Sequence, residues 1–235
     1  MKKRILIGMS LVVVILGSVA VFMYSSMMKQ MDNTDSTYWE KDILKIESRY
    51  KTVEDTDIVF IGSSSIRKWE TLEADFSEYQ VVNHGFGGSK VADSTYYYDR
   101  LVTAFTPKAI VLFAGTNNIH GMTKNTETAE EVLEDVIAFY EKSLEALPGV
   151  PVYYISISPT KARWNVWEEA NKANLLIGDY ADTTESLIFV DVTDDLMKDD
   201  GPNKEILLGD GLHLNEEGYK IWTSIIKPIV TEDIE

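Results

Sequence analysis

Hydrophobic and polar positions change their period along the chain. Residues 5–24, ILIGMSLVVVILGSVAVFMY, carry no charge. Twenty residues at about 1.5 Å each reach across the hydrocarbon core of a bilayer. The run is read as a membrane-spanning helix, whose backbone hydrogen bonds close within itself. The polar stretch 29–36 reads as a linker. Trp39, Ile43, Leu44, Ile46 and Tyr50 then recur on one face of a helix predicted over 37–52. Beyond it, short apolar runs at 57–61, 79–83, 109–113, 152–157 and 187–190 alternate with helical stripes at 127–146, 164–181 and 215–227. Runs apolar at nearly every position suit strands buried on both faces. They predict a parallel sheet covered by helices on both sides, with any site beyond the carboxyl ends of the strands.

Charge adds an orientation. Lys2, Lys3 and Arg4 precede the apolar run, which under the positive-inside tendency leaves the rest of the chain outside the cell membrane. Ser18-Val19-Ala20 offers the alternative of a cleaved signal peptide and a secreted product. Val21-Phe22-Met23-Tyr24 carry the apolar run past that point and favour a retained anchor. The expected organisation is an anchor or signal peptide over 1–28, a linker over 29–36 and one domain over 37–235. The net charge of -16 disfavours a nucleic-acid partner. The chain has no cysteine, which excludes disulfides, a thiol nucleophile and cysteine-based zinc sites. Its only histidines are His84, His120 and His213, so a three-histidine metal site would need all of them.

Four polar clusters carry candidate chemistry. Gly62-Ser63-Ser64-Ser65 follows the first apolar run, where a tight strand-to-helix turn exposes a hydroxyl and aims backbone N–H groups at one point; taken alone, it is equally a turn with helix-capping serines. Asn83-His84-Gly85-Phe86-Gly87-Gly88 follows the second run. Its glycines permit close backbone approach to a ligand, and its spacing is not that of a dinucleotide fingerprint. Gly115-Thr116-Asn117 follows the third run and offers an uncharged side-chain donor for a developing oxyanion, or a turn cap. Asp210-Gly211-Leu212-His213 precedes the last helix. An aspartate three positions before a histidine can take the ring N–H and leave the other nitrogen free for general-base work. Asn215 is placed to cap that last helix.

In this order the clusters resemble the SGNH (GDSL-like) hydrolases, named for a Ser, Gly, Asn and His in that succession. The resemblance covers about residues 55–230. It implies a flavodoxin-like three-layer α/β/α sandwich with a five-stranded parallel sheet, here preceded by the N-terminal transmembrane helix. It implies Ser64 as nucleophile, His213 as base and Asp210 as its partner, with an oxyanion hole from Ser64, Gly88 and Asn117. It also implies ester hydrolysis without metal or organic cofactor. One residue departs from the pattern: the family's usual aspartate before the nucleophile is Ser63 here, which leaves the register open among Ser63, Ser64 and Ser65.

His84 and His120 each sit beside a cluster but lack an acid at a suitable offset. Arg67, Trp69 and Arg163 are candidates to border the cleft, with surface packing the favoured reading. The expected substrate is a small-molecule, glycan or lipid ester of the cell envelope or its surroundings, O-acetylated glycans first and lipids, lysophospholipids or thioesters second. Two other classes compete: a metal-dependent phosphoesterase using Asp210 and His213 as ligands, and a non-catalytic binding module.

Overall fold

The computed structural model describes residues 16–234 apart from 20, 23, 27, 54 and 233. The membrane-spanning run expected over 5–24 lies largely outside the described residues. Those described between 16 and 31 are helical, and among the described residues no helix is long and apolar enough to cross a membrane. Residues 29–36 are not the free spacer their polarity suggests. Met31 is buried, Gln30 donates from Nε2 to the Gly87 carbonyl (2.7 Å), and Ser36 donates to Asp93 (2.6 Å). Its polar side chains hydrogen-bond to the loop at Gly87 and to the helix Val91–Tyr96 that holds Asp93.

Five strands pair in parallel: β1 Ile58–Gly62, β2 Val81–Gly85, β3 Ala109–Phe113, β4 Val152–Ile155 and β5 Leu187–Val190. Their order is β2-β1-β3-β4-β5, the flavodoxin-like arrangement. Side chains alternate across the sheet. Val59 and Ile61 enter one core with Ile43 and Ile46 of α1 (Glu40–Arg49). That core also holds Leu101 from a short helical pair after β2, Val132 and Val136 of α2 (Ala129–Ala146), and Ala173 and Ile177 of α3 (Trp167–Ala181). Ile58 and Phe60 enter the other core with Trp69, Tyr219, Trp222 and Ile226, the last three from α4 (Glu216–Thr231). Each fully buried large apolar side chain contributes about 1.5–3 kcal/mol.

Two elements run past their predicted ends. Strand β2 continues past Asn83 through His84 to Gly85, because the polar groups of the buried Asn83 and His84 find partners inside the fold. Helix α4 continues past Pro228 to Thr231. Proline there removes a single hydrogen bond in the last turn, while Trp222, Ile226 and Val230 keep the buried stripe intact.

Candidate active site

The turn after β1 builds the first half of the site. Gly62 has φ +137°, and a Cβ there would lie 2.0 Å from the Phe113 carbonyl oxygen. Only glycine lets β1 run this close to β3 as the chain turns. The Ser63 N–H donates to that same carbonyl (2.9 Å), and Ser64 opens the short helix Ser64–Arg67. As its first residue, Ser64 has a backbone N–H with no acceptor inside the helix. Two side chains pin this turn: the Tyr219 hydroxyl donates to the Ser65 carbonyl (2.8 Å), and Asn83 Nδ2 donates to the Ile66 carbonyl (2.7 Å).

The loop before α4 builds the second half. Asp210 Oδ1 accepts the N–H groups of Leu212 (2.9 Å) and His213 (3.1 Å), and Asp210 Oδ2 lies 2.6 Å from His213 Nδ1. His213 Nε2 lies 2.8 Å from Ser64 Oγ. The Leu208 N–H donates to the His213 carbonyl (2.8 Å), and Asn215 caps α4 by accepting the Gly218 N–H (3.2 Å). Of the three adjacent serines, Ser64 is the one whose hydroxyl meets the histidine. Ser63, where the resemblance leads one to expect aspartate, is buried.

Protonation follows from the partners. Burial pushes the Asp210 carboxyl up, but hydrogen bonds from the His213 ring and from the His213 and Leu212 backbone outweigh it and hold the carboxyl at about 2. An ionised carboxylate only accepts, so the imidazole proton sits on Nδ1, and Nε2 accepts from the Ser64 hydroxyl. Burial lowers the His213 pKa, Asp210 opposes that, and the charges of Lys68 and Arg67 add to it. The ring is therefore neutral at pH 7 and ready to take a proton.

Asn117 is buried and donates from Nδ2 to the Ser89 carbonyl (3.0 Å), which ties the loop after β3 to the loop after β2. Asn117 and Ser64 line one narrow cleft together with Ser158 and Thr160. The hydroxyls of Ser158 and Thr160 are buried without a hydrogen-bond partner. Sequence reasoning missed this pair; the available signal was that Ser158-Pro159-Thr160 lies beyond the carboxyl end of β4. Gly88 has φ +85° on the adjoining loop and is not part of that cleft's lining. A Cβ there would meet Gln30 Nε2 at 2.0 Å. Gln30 could not be foreseen, because it lies outside the pattern of strands and helices.

The other histidines are elsewhere. His84 is buried at the end of β2, with Nδ1 2.6 Å from the Leu101 carbonyl. His120 is buried, and its Nδ1 accepts the Met122 N–H (3.0 Å). Trp69 is neither at the cleft nor at the surface: its apolar area carries it into the core, where it stacks on Tyr219. Arg67 is exposed and lies along Gly87, and Arg163 is half-buried with its Nε unpaired.

A sequence search against curated proteins finds no match. Among solved structures, a Streptococcus pneumonia protein described as a platelet activating factor superposes with a TM-score of 0.72 at 22% identity, over 91% of this chain and 99% of its own. A GDSL-like lipase from Bacteroides thetaiotaomicron gives 0.66 at 18% identity, over 84% and 98%. A catalytic mutant of an acetylxylan esterase from Geobacillus stearothermophilus gives 0.59 at 14%, over 74% and 94%. At these identities the likeness is one of fold. Residues 58–221 match the model of the GDSL-like lipase/acylhydrolase family; the chain belongs to that family and with it to the carboxylic ester hydrolases.

Proposed function

We propose that the protein is a serine esterase working through an acyl-enzyme, with Ser64 as nucleophile, His213 as base and Asp210 as the residue that orients the ring. The observation that carries this reading is the unbroken run of contacts from Asp210 Oδ2 through both ring nitrogens of His213 to Ser64 Oγ. His213 Nε2 takes the hydroxyl proton as Ser64 Oγ attacks the ester carbonyl, and Asp210 stabilises the imidazolium. The oxyanion is received by the N–H groups of Ser64 and Gly88 and by the Asn117 side chain, one of whose N–H bonds is already spent on Ser89. His213 returns its proton to the departing alcohol. A water then attacks the acyl-enzyme with His213 again as base, and His213 passes that proton to Ser64 Oγ as the acyl–Oγ bond breaks and the acid leaves.

The proposed substrates are short-chain esters of the cell envelope or the extracellular space, O-acetylated glycans first. The narrow cleft at Ser64 supports a short acyl group, and the acetylxylan esterase shows the same fold handling an acetylated glycan. The proposed location is the outer face of the membrane, held by the apolar run at residues 5–24 with Lys2, Lys3 and Arg4 inside. The test is hydrolysis of p-nitrophenyl acetate and longer p-nitrophenyl esters by the full chain in the presence of a chelator. The expected result is turnover that falls with acyl length and vanishes in Ser64→Ala. Undiminished turnover in Ser64→Ala would sink the reading, and better turnover of palmitoyl than acetyl esters would overturn the short-acyl assignment.

A further inference from the structure

The chain holds 38 acidic residues against 22 basic ones, so an arginine without a carboxylate partner needs an explanation. Arg100 shows the ordinary case: it is bound to Glu40 (2.9 Å) and Glu47 (2.7 Å) from one side of α1. The opposite case lies at the ends of α1 and of the Ser64 helix. Arg49 at the end of α1 and Arg67 at the end of the Ser64 helix both border one groove of about 180 Å³ along the edge strand β2. Among the described residues neither makes an ion pair; Arg49 rests only against the Tyr50 ring, at 6.0 Å from its centroid. Lys45, one turn before Arg49, borders the same groove and is paired with Asp42 (3.0 Å), its one acidic neighbour there.

The groove is joined to the chemistry through Arg67, which ends the short helix that Ser64 opens. Ser64 and Arg67 are separated by three positions of one helix, which puts their side chains on neighbouring positions of its surface. A Cβ placed on Gly87 would lie 2.7 Å from the Arg67 guanidinium, so this group lies along the loop that carries Gly88. Arg67 is also close enough for its charge to act on the His213 ring. Charges farther away than about 8 Å are largely screened at physiological ionic strength. A bound anion would therefore feel these nearby cations and very little of the acidic surface beyond them.

We infer that this groove is a phosphate subsite, in which Arg67 and Arg49 hold a phosphate group on the alcohol portion of the ester while Ser64 attacks the acyl carbon. Two guanidinium forks from different helices suit the several oxygens of a phosphate better than they suit a single carboxylate. The inference rests on the esterase reading of Ser64. It gives the strongly acidic domain a selective way to admit an anionic substrate: general repulsion, with attraction confined to the site. The phosphate could belong to a soluble sugar or glycerol ester or to a lipid headgroup.

The experiment compares kcat/KM of the full chain for 1-acetylglycerol 3-phosphate and for 1-acetylglycerol. The phosphate-bearing ester is expected to be favoured about tenfold at low salt, the preference shrinking as ionic strength rises. In the double variant Arg49→Gln/Arg67→Gln the ratio of the two kcat/KM values is expected to fall about tenfold. An equal ratio in wild type and variant, or a preference for the neutral ester, overturns the subsite. Both side chains are exposed, and thermal unfolding by circular dichroism checks that the variant folds. An acetylated phospholipid in neutral vesicles, compared with the soluble phosphate ester, decides between the two sources. Inorganic phosphate titrated into Ser64→Ala by NMR separates the two readings. If neither ester is hydrolysed, the esterase reading fails, while phosphate shifts at Arg67 and Gly87 that disappear in the arginine variant still support the subsite and their absence still overturns it.

Discussion

His84 and His213 sit in two regions at the carboxyl edge of the same sheet, and their rings are held in much the same way. Each has Nδ1 2.6 Å from an oxygen, the Leu101 carbonyl for His84 and the Asp210 carboxylate for His213. Both oxygens only accept, so both rings carry their proton on Nδ1. The difference lies in the partner's charge and in what faces the other nitrogen. His84 is wedged between Tyr50 (5.1 Å) and Phe105 (4.5 Å), its Nε2 is buried without a partner, and burial lowers its pKa to about 4. His213 has an ionised carboxylate behind it and a hydroxyl 2.8 Å in front. A fixed tautomer alone therefore makes no base; an anion to stabilise the imidazolium and an acceptor position facing a proton source do.

The strongest way to break this contrast is to remove what faces Nε2. Ser64→Ala leaves His213 with a free nitrogen, as His84 has, and kcat/KM for acetyl esters should fall by about 10⁴–10⁶. Steady-state kinetics at pH 7.5 decides it, and a loss below about tenfold would refute Ser64 as nucleophile. Asp210→Asn makes the partner neutral, as the Leu101 carbonyl is for His84, and should cost about 10⁴ in kcat. It should also move the acid limb. Burial already places the His213 pKa below its ordinary value, and Asp210 is the group that raises it. Without that carboxylate the neutral ring persists to lower pH, so half-maximal kcat/KM should shift down from its wild-type position. A shift upward would contradict the role given to Asp210.

The same contrast explains what could be read from the sequence. Strands β3 and β5 coincide with their predicted runs: β3 is buried at every position and must be apolar throughout, and the edge strand β5 is apolar along its length with Ile188 and Phe189 half-buried. The sequence predicts that β2 ends at Asn83, since His84 and Gly85 resemble a turn. Inside the fold the His84 ring finds a carbonyl and Gly85 lies where a Cβ would strike the Arg67 backbone. Nothing local in the sequence separates His84 from His213 except the aspartate three positions before the latter. Ser64, Asn117, Asp210 and His213 stood out by their order along the chain. Ser158 and Thr160 did not, because only the fold brings the end of β4 beside Ser64.

A smaller effect tests the burial of His84. The unfolded chain takes up a proton on this residue near its ordinary pKa of 6.5, whereas the folded chain resists it down to about 4. Stability is thus fully present above pH 6.5 and is lost as pH falls towards 4. Between pH 7 and pH 5 the loss amounts to about 2 kcal/mol. Asp135 works in the opposite sense: burial and the neighbouring Glu127 raise its pKa to about 6, so its protonation favours the folded state in the same range. The quantity to measure is therefore the difference in urea-unfolding free energy between wild type and His84→Gln as a function of pH. The wild type should lose more on acidification, and parallel curves would show that His84 titrates alike in both states.

The smallest effect concerns the loop that joins the two regions. Residues 85–89 leave the strand that holds His84 and carry Gly88, the proposed oxyanion donor. Their far side is held by Gln30, whose Nε2 donates to the Gly87 carbonyl at 2.7 Å and fills the space where a Gly88 side chain would be. Gln30 touches none of the proposed reacting atoms, so in the proposed mechanism it is a positioning residue for the Gly88 N–H. One such hydrogen bond contributes about 0.5–1.5 kcal/mol, and Gln30→Ala should lower kcat by about three- to tenfold if the loop's position depends on it. An oxyanion donor acts on the transition state more than on the bound ester, so KM should change little, while Gln30→Lys, which restores a donor, should recover part of the loss. A rise in KM at constant kcat would instead make Gln30 a wall of the substrate cleft. The expected split would mean that the chain segment leading out of residues 5–24 helps to set the oxyanion site, coupling the position of that segment to the rate of the reaction.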